Sequence, residues 1–166
     1  MRVTLQPLDE ALIDDLLAVA MAAATPEETM PPVDGPPGWT HARRAAFTDF
    51  YRARLDGLAG SRATAMFAIL VEGEVAGMIR LARTAIPGQV ETGMWLGRGH
   101  RGRGLAGAAL RAMLAEARSL GADTVVADTT PGNAAALGTL RSCGAVLTPD
   151  EAAGKVFAHF DVGAGG

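Results

Sequence analysis

The residues from Arg98 to Gly107, RGHRGRGLAG, carry the strongest chemical signal in this chain. Gly99, Gly102, Gly104 and Gly107 stand among Arg98, Arg101 and Arg103. Glycine lacks a Cβ, so such a backbone can turn several N–H groups toward one point. The segment that follows, AALRAMLAEARSL, reads as a helix. A helix opening there adds its unpaired N–H groups and the positive end of its dipole. Together these describe an anion site suited to phosphate, with arginine adding mobile positive charge.

Strands and helices must hold that loop in place. Before it, Gln89 to Leu96 reads as a strand. After it, Ala106, Leu110, Met113, Ala117 and Leu120 mark one face of the helix, and Gly121 follows as a C′ residue. Thr124 to Asp128 is then an apolar strand, expected parallel to the first because a helical crossover joins them. Asn133 is placed to cap a last helix, ended by Gly144. Upstream, Val3 to Leu5 reads as a strand ended by Pro7. Helices are expected over 10–21, capped by Asp9, and over 41–58. Between them Thr25 to Gly38, with five prolines and three acids, reads as irregular. Met66 to Val71 and Val75 to Arg83 form a hairpin around Glu72-Gly73-Glu74. Residues 145–147 and 156–162 form a final one. The order is β-α-α-β-β-β-α-β-α-β-β. It predicts a mixed α/β (α+β) fold: a mostly antiparallel sheet, a parallel pair in its middle, and helices on both faces.

The chain has 166 residues, 49% of them hydrophobic and 20% charged, with net charge −3. That is one domain, residues 1–166, with 163–166 read as a frayed tail. The acidic balance argues against nucleic acid and against an anionic membrane as partner. No apolar run approaches the roughly 20 residues that span a bilayer. A lone Cys143 excludes an internal disulfide and a multi-cysteine metal site, and the three histidines lack ligand spacing. No metal is expected, and a reducing cytoplasmic setting fits.

Gly102, Gly104 and Gly107 also match G-x-G-x-x-G, the dinucleotide fingerprint. That motif needs a turn straight off the strand and several parallel βα units, and too little chain follows Gly107 to build them. The pattern R-x-x-G-x-A at Arg101, Gly104 and Ala106, after a strand ending in MWL, instead resembles the GNAT superfamily of N-acetyltransferases. Asn133, Ala136, Leu140 and Gly144 extend the likeness along the next helix. The N-terminal RVTLQPL, the MWL strand end and NAAALGTLRSCGA look most like the RimJ/RimL-type branch. That branch acetylates protein N-termini and includes antibiotic-resistance enzymes.

The resemblance implies acetyl-CoA as co-substrate, held by Trp95, Leu96, Gly97, Arg101, Gly102, Arg103, Gly104, Leu105, Ala106, Gly107 and Asn133. It also implies that the sheet splays open beside Trp95 to Gly97, whose N–H groups would serve the oxyanion and the pantetheine arm; Gly93 would suit a bulge helping that splay. Attack by an amine needs a base. Glu91, ten residues before Arg101, is the candidate, close to where some members carry a catalytic Glu. His100 is read as a surface residue or phosphate contact. The positions where members carry a Tyr or Ser acid are Leu140 and Ala136, which leaves Tyr51, Thr129, Ser142 or solvent to protonate the thiolate. Asn133 is both a cap and a second catalytic candidate. Close approach of a neighbour, or drift, would explain Gly138. Glu27, Glu28, Asp34 and Trp39 would border an acceptor pocket suited to a cationic amine.

The expected function is direct acetyl transfer from acetyl-CoA to an amine, with a small cationic acceptor such as an aminoglycoside ahead of a protein N-terminus. A CoA-binding module without turnover is the alternative. The expected partners are acetyl-CoA and an amine acceptor, with room for a homodimer, and neither nucleic acid nor membrane.

Overall fold

Near-continuous apolar runs in the central strands, buried on both faces, and short turns build the sheet that carries the site. The structure is a computed structural model, and it describes residues 1–163. Strands β1 (Val3–Pro7), β2 (Thr64–Val71), β3 (Glu74–Arg83), β4 (Gln89–Leu96), β5 (Thr124–Thr129), β6 (Val146–Asp150) and β7 (Lys155–Asp161) form one sheet in the order β1-β2-β3-β4-β5-β7-β6. Every neighbouring pair is antiparallel except β4 with β5. That exception follows from the helical crossover between them.

Two helix layers cover opposite faces. On one face α1 (Glu10–Ala23) and α3 (His41–Arg52) bury Ile13, Leu16, Phe47 and Tyr51 against Met66, Ala68, Met78 and Trp95. On the other, α4 (Leu105–Ser119) buries Leu105, Leu110 and Met113 against Ile79, Val90, Leu96 and Ala127. Leu140 of α5 (Ala134–Ser142) joins that cluster. The alternation along β4 follows: Val90 and Leu96 face α4, while Trp95 faces α1 and α3. The expected mixed fold, parallel pair and two helix layers are all present.

Several boundaries differ from the sequence reading. The helix expected over 41–58 ends at Arg52, and the chain then descends in tight turns through Arg54, Leu55 and Gly57, the last at φ 74°. Thr25 to Gly38 is not wholly irregular. Thr25-Pro-Glu-Glu forms a capping box and a one-turn helix, α2 (Pro26–Thr29), with Glu28 Oε2 accepting from the Thr25 N–H at 3.0 Å. The rest of that loop is organised by the buried Arg43. Its guanidinium donates to the carbonyls of Val33, Gly35, Pro36 and Gly38. Asp9, Thr40 and Asn133 cap α1, α3 and α5 with their side chains. Gly163, read as part of a frayed tail, donates its N–H to Asp123 at 2.9 Å; the other tail residues lie outside the described ones.

Candidate active site

The parallel pairing of β4 and β5 lasts only three residues: Gln89 with Thr124, Val90 with Val125 and Glu91 with Val126. Beyond Glu91 the two strands part, although β4 stays in register with β3 up to Leu96. The gap opens a groove of about 730 Å³. Thr92 to Leu96 line one wall, Ala127 to Thr129 the other, and Arg101, Gly102, Gly104, Ala106 and Gly107 its end.

The glycine loop shapes that end. Arg98 to His100 make a single 3-10 turn. Gly102 and Gly104 then take φ of 71° and 74°, a left-handed conformation that side-chain-bearing residues seldom adopt. Gly104 is the N-cap of α4 and offers no side-chain acceptor. Among the described residues, no protein group accepts from the N–H groups of Gly102 to Gly107. Nothing lies within 4 Å of where a Cβ would stand on Gly102 or Gly104. A row of unpartnered amides at a helix N-terminus, with open space in front, fits a pyrophosphate.

The candidate cofactor residues divide once their side chains are traced. Trp95, Leu96, Arg101, Gly102, Gly104, Ala106, Gly107 and Asn133 line the groove. Leu105 is buried in the core and can present only its N–H. Arg103 is exposed and donates to the Gly99 carbonyl at 3.3 Å. Arg101 is turned inward: Nε donates to the Leu96 carbonyl at 2.9 Å, and Nη2 meets Glu28 Oε2 at 3.0 Å. Burial works against ionised Glu28, but the Thr25 N–H and Arg101 outweigh it and hold the carboxyl below its ordinary value.

The amides expected for the oxyanion need correction. The Gly97 N–H is already bonded to the Ala76 carbonyl at 2.9 Å. Amide directions alternate along a strand, so Trp95 also points toward β3, and the amides aimed into the gap are those of Met94 and Leu96. Gly93 makes no bulge, since β3 and β4 run in unbroken register past it. A Cβ on Gly93 would stand 2.4 Å from Arg80 Nη1, so its absence leaves room for that guanidinium.

Glu91 lies at the vertex of the gap, one residue short of the groove lining. Its carboxylate is paired with Arg80 Nη2 at 2.6 Å, both side chains being partly exposed. Asn133 Oδ1 accepts from the Ala136 N–H at 3.0 Å, as a cap, while the residue borders the groove. Tyr51 is fully buried. Its hydroxyl donates to the Thr29 carbonyl at 2.6 Å and accepts from Trp95 Nε1 at 3.0 Å, and burial pushes the phenol well up. It is a packing residue, not an accessible acid. Ser142 donates to the Thr139 carbonyl within its own helix. The Thr92 hydroxyl is tied to the Arg80 carbonyl at 2.9 Å, which leaves Thr129 and Thr139 as the hydroxyls bordering the groove without a hydrogen bond among the described residues. His100 borders it too. Trp39 packs edge-on against Phe47 and donates to the Ala24 carbonyl, so it braces the loop. Gly138 has open space where its Cβ would stand, so no close neighbour requires it.

Thr139 and Asp128 line the groove without having been singled out as site residues in the sequence. Asp128 stands one residue before the end of an apolar strand, and it borders the groove that opens where β4 parts from β5. No cluster of metal-ligating side chains occurs among the described residues. No helix among them is long and apolar enough to cross a membrane.

Known structures share this architecture. The GNAT domain of S. lividans PAT aligns at 20% identity and TM-score 0.69, covering 96% of this chain and 90% of that one. RimL, a ribosomal L7/L12 alpha-N-protein acetyltransferase in complex with coenzyme A, aligns at 17% identity and TM-score 0.74, covering 96% and 93%. A dodecameric spermidine N-acetyltransferase from Vibrio cholerae aligns at 13% and 0.70, covering 96% and 94%. At such identities the likeness concerns the fold. No curated protein matches in sequence. The family model described as "Acetyltransferase (GNAT) domain" matches residues 2–146, the stretch that holds the glycine loop, the parting strands and the Asn133 cap. A match over so much of the chain carries more than a shared fold: this protein belongs to the GNAT acetyltransferase family, whose co-substrate is acetyl-CoA.

Proposed function

We propose that this acetyltransferase acts on a small cationic primary amine, by direct transfer with both substrates bound. One observation carries the reading. A single groove runs from the unpartnered amides of the glycine loop to the mouth between β4 and β5, where Asp128 borders it. When bound, acetyl-CoA supplies a thioester carbonyl as the acyl donor. The chain's own residues then hold, orient and deprotonate. The amides of Gly102 to Gly107 hold the pyrophosphate. Ala136 and Leu140 provide an apolar wall for the pantetheine arm. The Met94 and Leu96 amides face the oxygen that becomes negative during attack. Glu91, at the vertex and braced by Arg80, accepts the amine proton through water. A Thr129 or Thr139 hydroxyl, or solvent, meets the departing thiolate, which leaves readily at a thiol pKa of about 8.5.

The RimJ/RimL-type likeness in sequence motifs supports a second reading, a protein N-terminus as acceptor. RimL, among the structural neighbours, is a protein N-acetyltransferase. The spermidine enzyme beside it supports the small amine. Release of free thiol from acetyl-CoA, measured across polyamines, aminoglycosides, amino acids and N-terminal peptides, separates them. Turnover on a polyamine or aminoglycoside above the peptides bears the proposal out. Turnover on N-terminal peptides alone overturns the acceptor and leaves the transferase intact.

A further inference from the structure

We infer that Asp128 is the carboxylate that holds the acceptor's ammonium group, with the Phe157 ring beside it as the surface for the acceptor's carbon chain. The inference rests on the transferase reading above and names the recognition element of the same groove.

Val125 and Ala127 of β5 belong to the core beneath α4. Alternation therefore turns Asp128 to the opposite face, the one that carries Trp95 and Glu91 on β4. Pyrophosphate amides and the apolar wall of α5 lie on the α4 side of the groove. Asp128 thus stands at the mouth and faces away from the cofactor arm, where an acceptor must arrive.

Two carboxylates line the groove, Glu28 and Asp128. Glu28 is engaged by the Thr25 N–H and by Arg101. Glu91, nearby, is engaged by Arg80 at 2.6 Å. Asp128 accepts no hydrogen bond among the described residues. Its one charged partner there is the Lys155 ammonium, 3.5 Å away, with both side chains well exposed. Such a pair is weak and easily exchanged. Lys155, the only lysine in the chain, places a primary ammonium beside this carboxylate, as the cationic end of an acceptor would.

Phe157 lies directly opposite Asp128 in the β5–β7 register and is 40% exposed. Opposite residues of an antiparallel pair share a face with their side chains in contact range. Among the described residues, the core cluster beneath α1 and α3 takes its strand members from β2, β3 and β4 and none from β5 or β7. A carboxylate next to an exposed aromatic ring suits an alkyl ammonium: charge meets the head, and the ring takes the cation and its methylenes.

Calorimetric titration of the full-length protein with putrescine, with and without coenzyme A, tests this directly. The wild type should bind, and Asp128→Asn should weaken binding about tenfold or more, as expected for loss of a hydrogen bond to a charged group. Phe157→Ala should weaken it less. Lys155→Met, which removes the competing ammonium, should strengthen it. Affinity for acetyl-CoA should stay unchanged in all three variants. Wild-type-like binding by Asp128→Asn, loss of binding in Lys155→Met, or no binding by the wild type would each overturn the inference. Thiol release measured in parallel keeps the two readings apart. Unaltered putrescine affinity in Asp128→Asn with turnover intact removes Asp128 alone; absent turnover with Asp128-dependent binding removes the transfer step alone.

Discussion

Arg101 and Glu28 join the end of β4 to α2 across the end of the groove. The Arg101 guanidinium spans from the Leu96 carbonyl, at the end of β4, to Glu28 on α2, at 2.9 and 3.0 Å. A residue of the glycine loop thereby pins α2.

Removing that pin should loosen α2 and leave the fold standing. Glu28→Gln is expected to cost about 0–1 kcal/mol, as for exposed ion pairs. The Met30 N–H, bonded to the Pro26 carbonyl, should exchange faster with deuterium. The folded carboxyl of Glu28 titrates below its ordinary value. Its contribution is therefore present above the unfolded pKa and lost as pH falls through the lower, folded one. The variant should show a shallower acid limb of stability. An unchanged limb would remove Glu28 from that account.

Gly104 holds φ 74° at the N-cap of α4, with open space before it. Gly104→Val forces a β-branched residue into the left-handed region, at about 1–2 kcal/mol, and puts a side chain where phosphate would sit. Acetyl-CoA affinity should fall at least about tenfold while the melting temperature drops only a few degrees. Full retention of affinity would mean that the cradle lies elsewhere.

Glu91 and Arg80 invite a paired test. Glu91→Gln should lower kcat by about a hundredfold with cofactor affinity kept, if Glu91 takes the amine proton. Gly93→Ala sets a methyl 2.4 Å from Arg80 Nη1, which must swing aside. Because a flexible side-chain end yields, stability should change little, whereas kcat should fall as Glu91 loses the partner that orients it. An unchanged kcat in Glu91→Gln would dismiss Glu91 as the base.

Tyr51→Phe should separate packing from chemistry. It strands the buried Trp95 Nε1–H, which donates to the Tyr51 hydroxyl at 3.0 Å, and should cost about 1–3 kcal/mol in denaturant unfolding. Turnover per folded molecule should be unaltered. A fall in kcat with stability intact would restore Tyr51 as an acid.

Gly77 tests the sheet beneath the groove. A Cβ there would stand 2.1 Å from the Trp95 carbonyl oxygen, a backbone atom that cannot yield without moving β4. Gly77→Ala should destabilise by about 2–3 kcal/mol. A neutral effect would mean that β3 and β4 are looser than their register implies.

The sequence by itself determined the elements and the anion loop. Helical periodicity, cap residues such as Asp9 and Asn133, and turn glycines act between residues a few positions apart, so they can be read along the chain. The glycine and arginine spacing at Arg101 to Gly107 likewise states its chemistry locally. The end of α3 and the small helix at Pro26 were missed because weak local signals compete there, a tail of apolar residues in one case and a proline-rich setting in the other. Only the tertiary structure decided where β4 leaves β5, since strand pairing joins residues more than 30 positions apart. From that parting follows the groove that Asp128 borders, while the β3–β4 register sets the directions of the Met94 and Leu96 amides and the clearance that Gly93 gives Arg80. The partners of Arg101 and Glu91 belong to the same class. A long charged side chain reaches whichever opposite charge packing brings near, and spacing along the chain does not encode that choice.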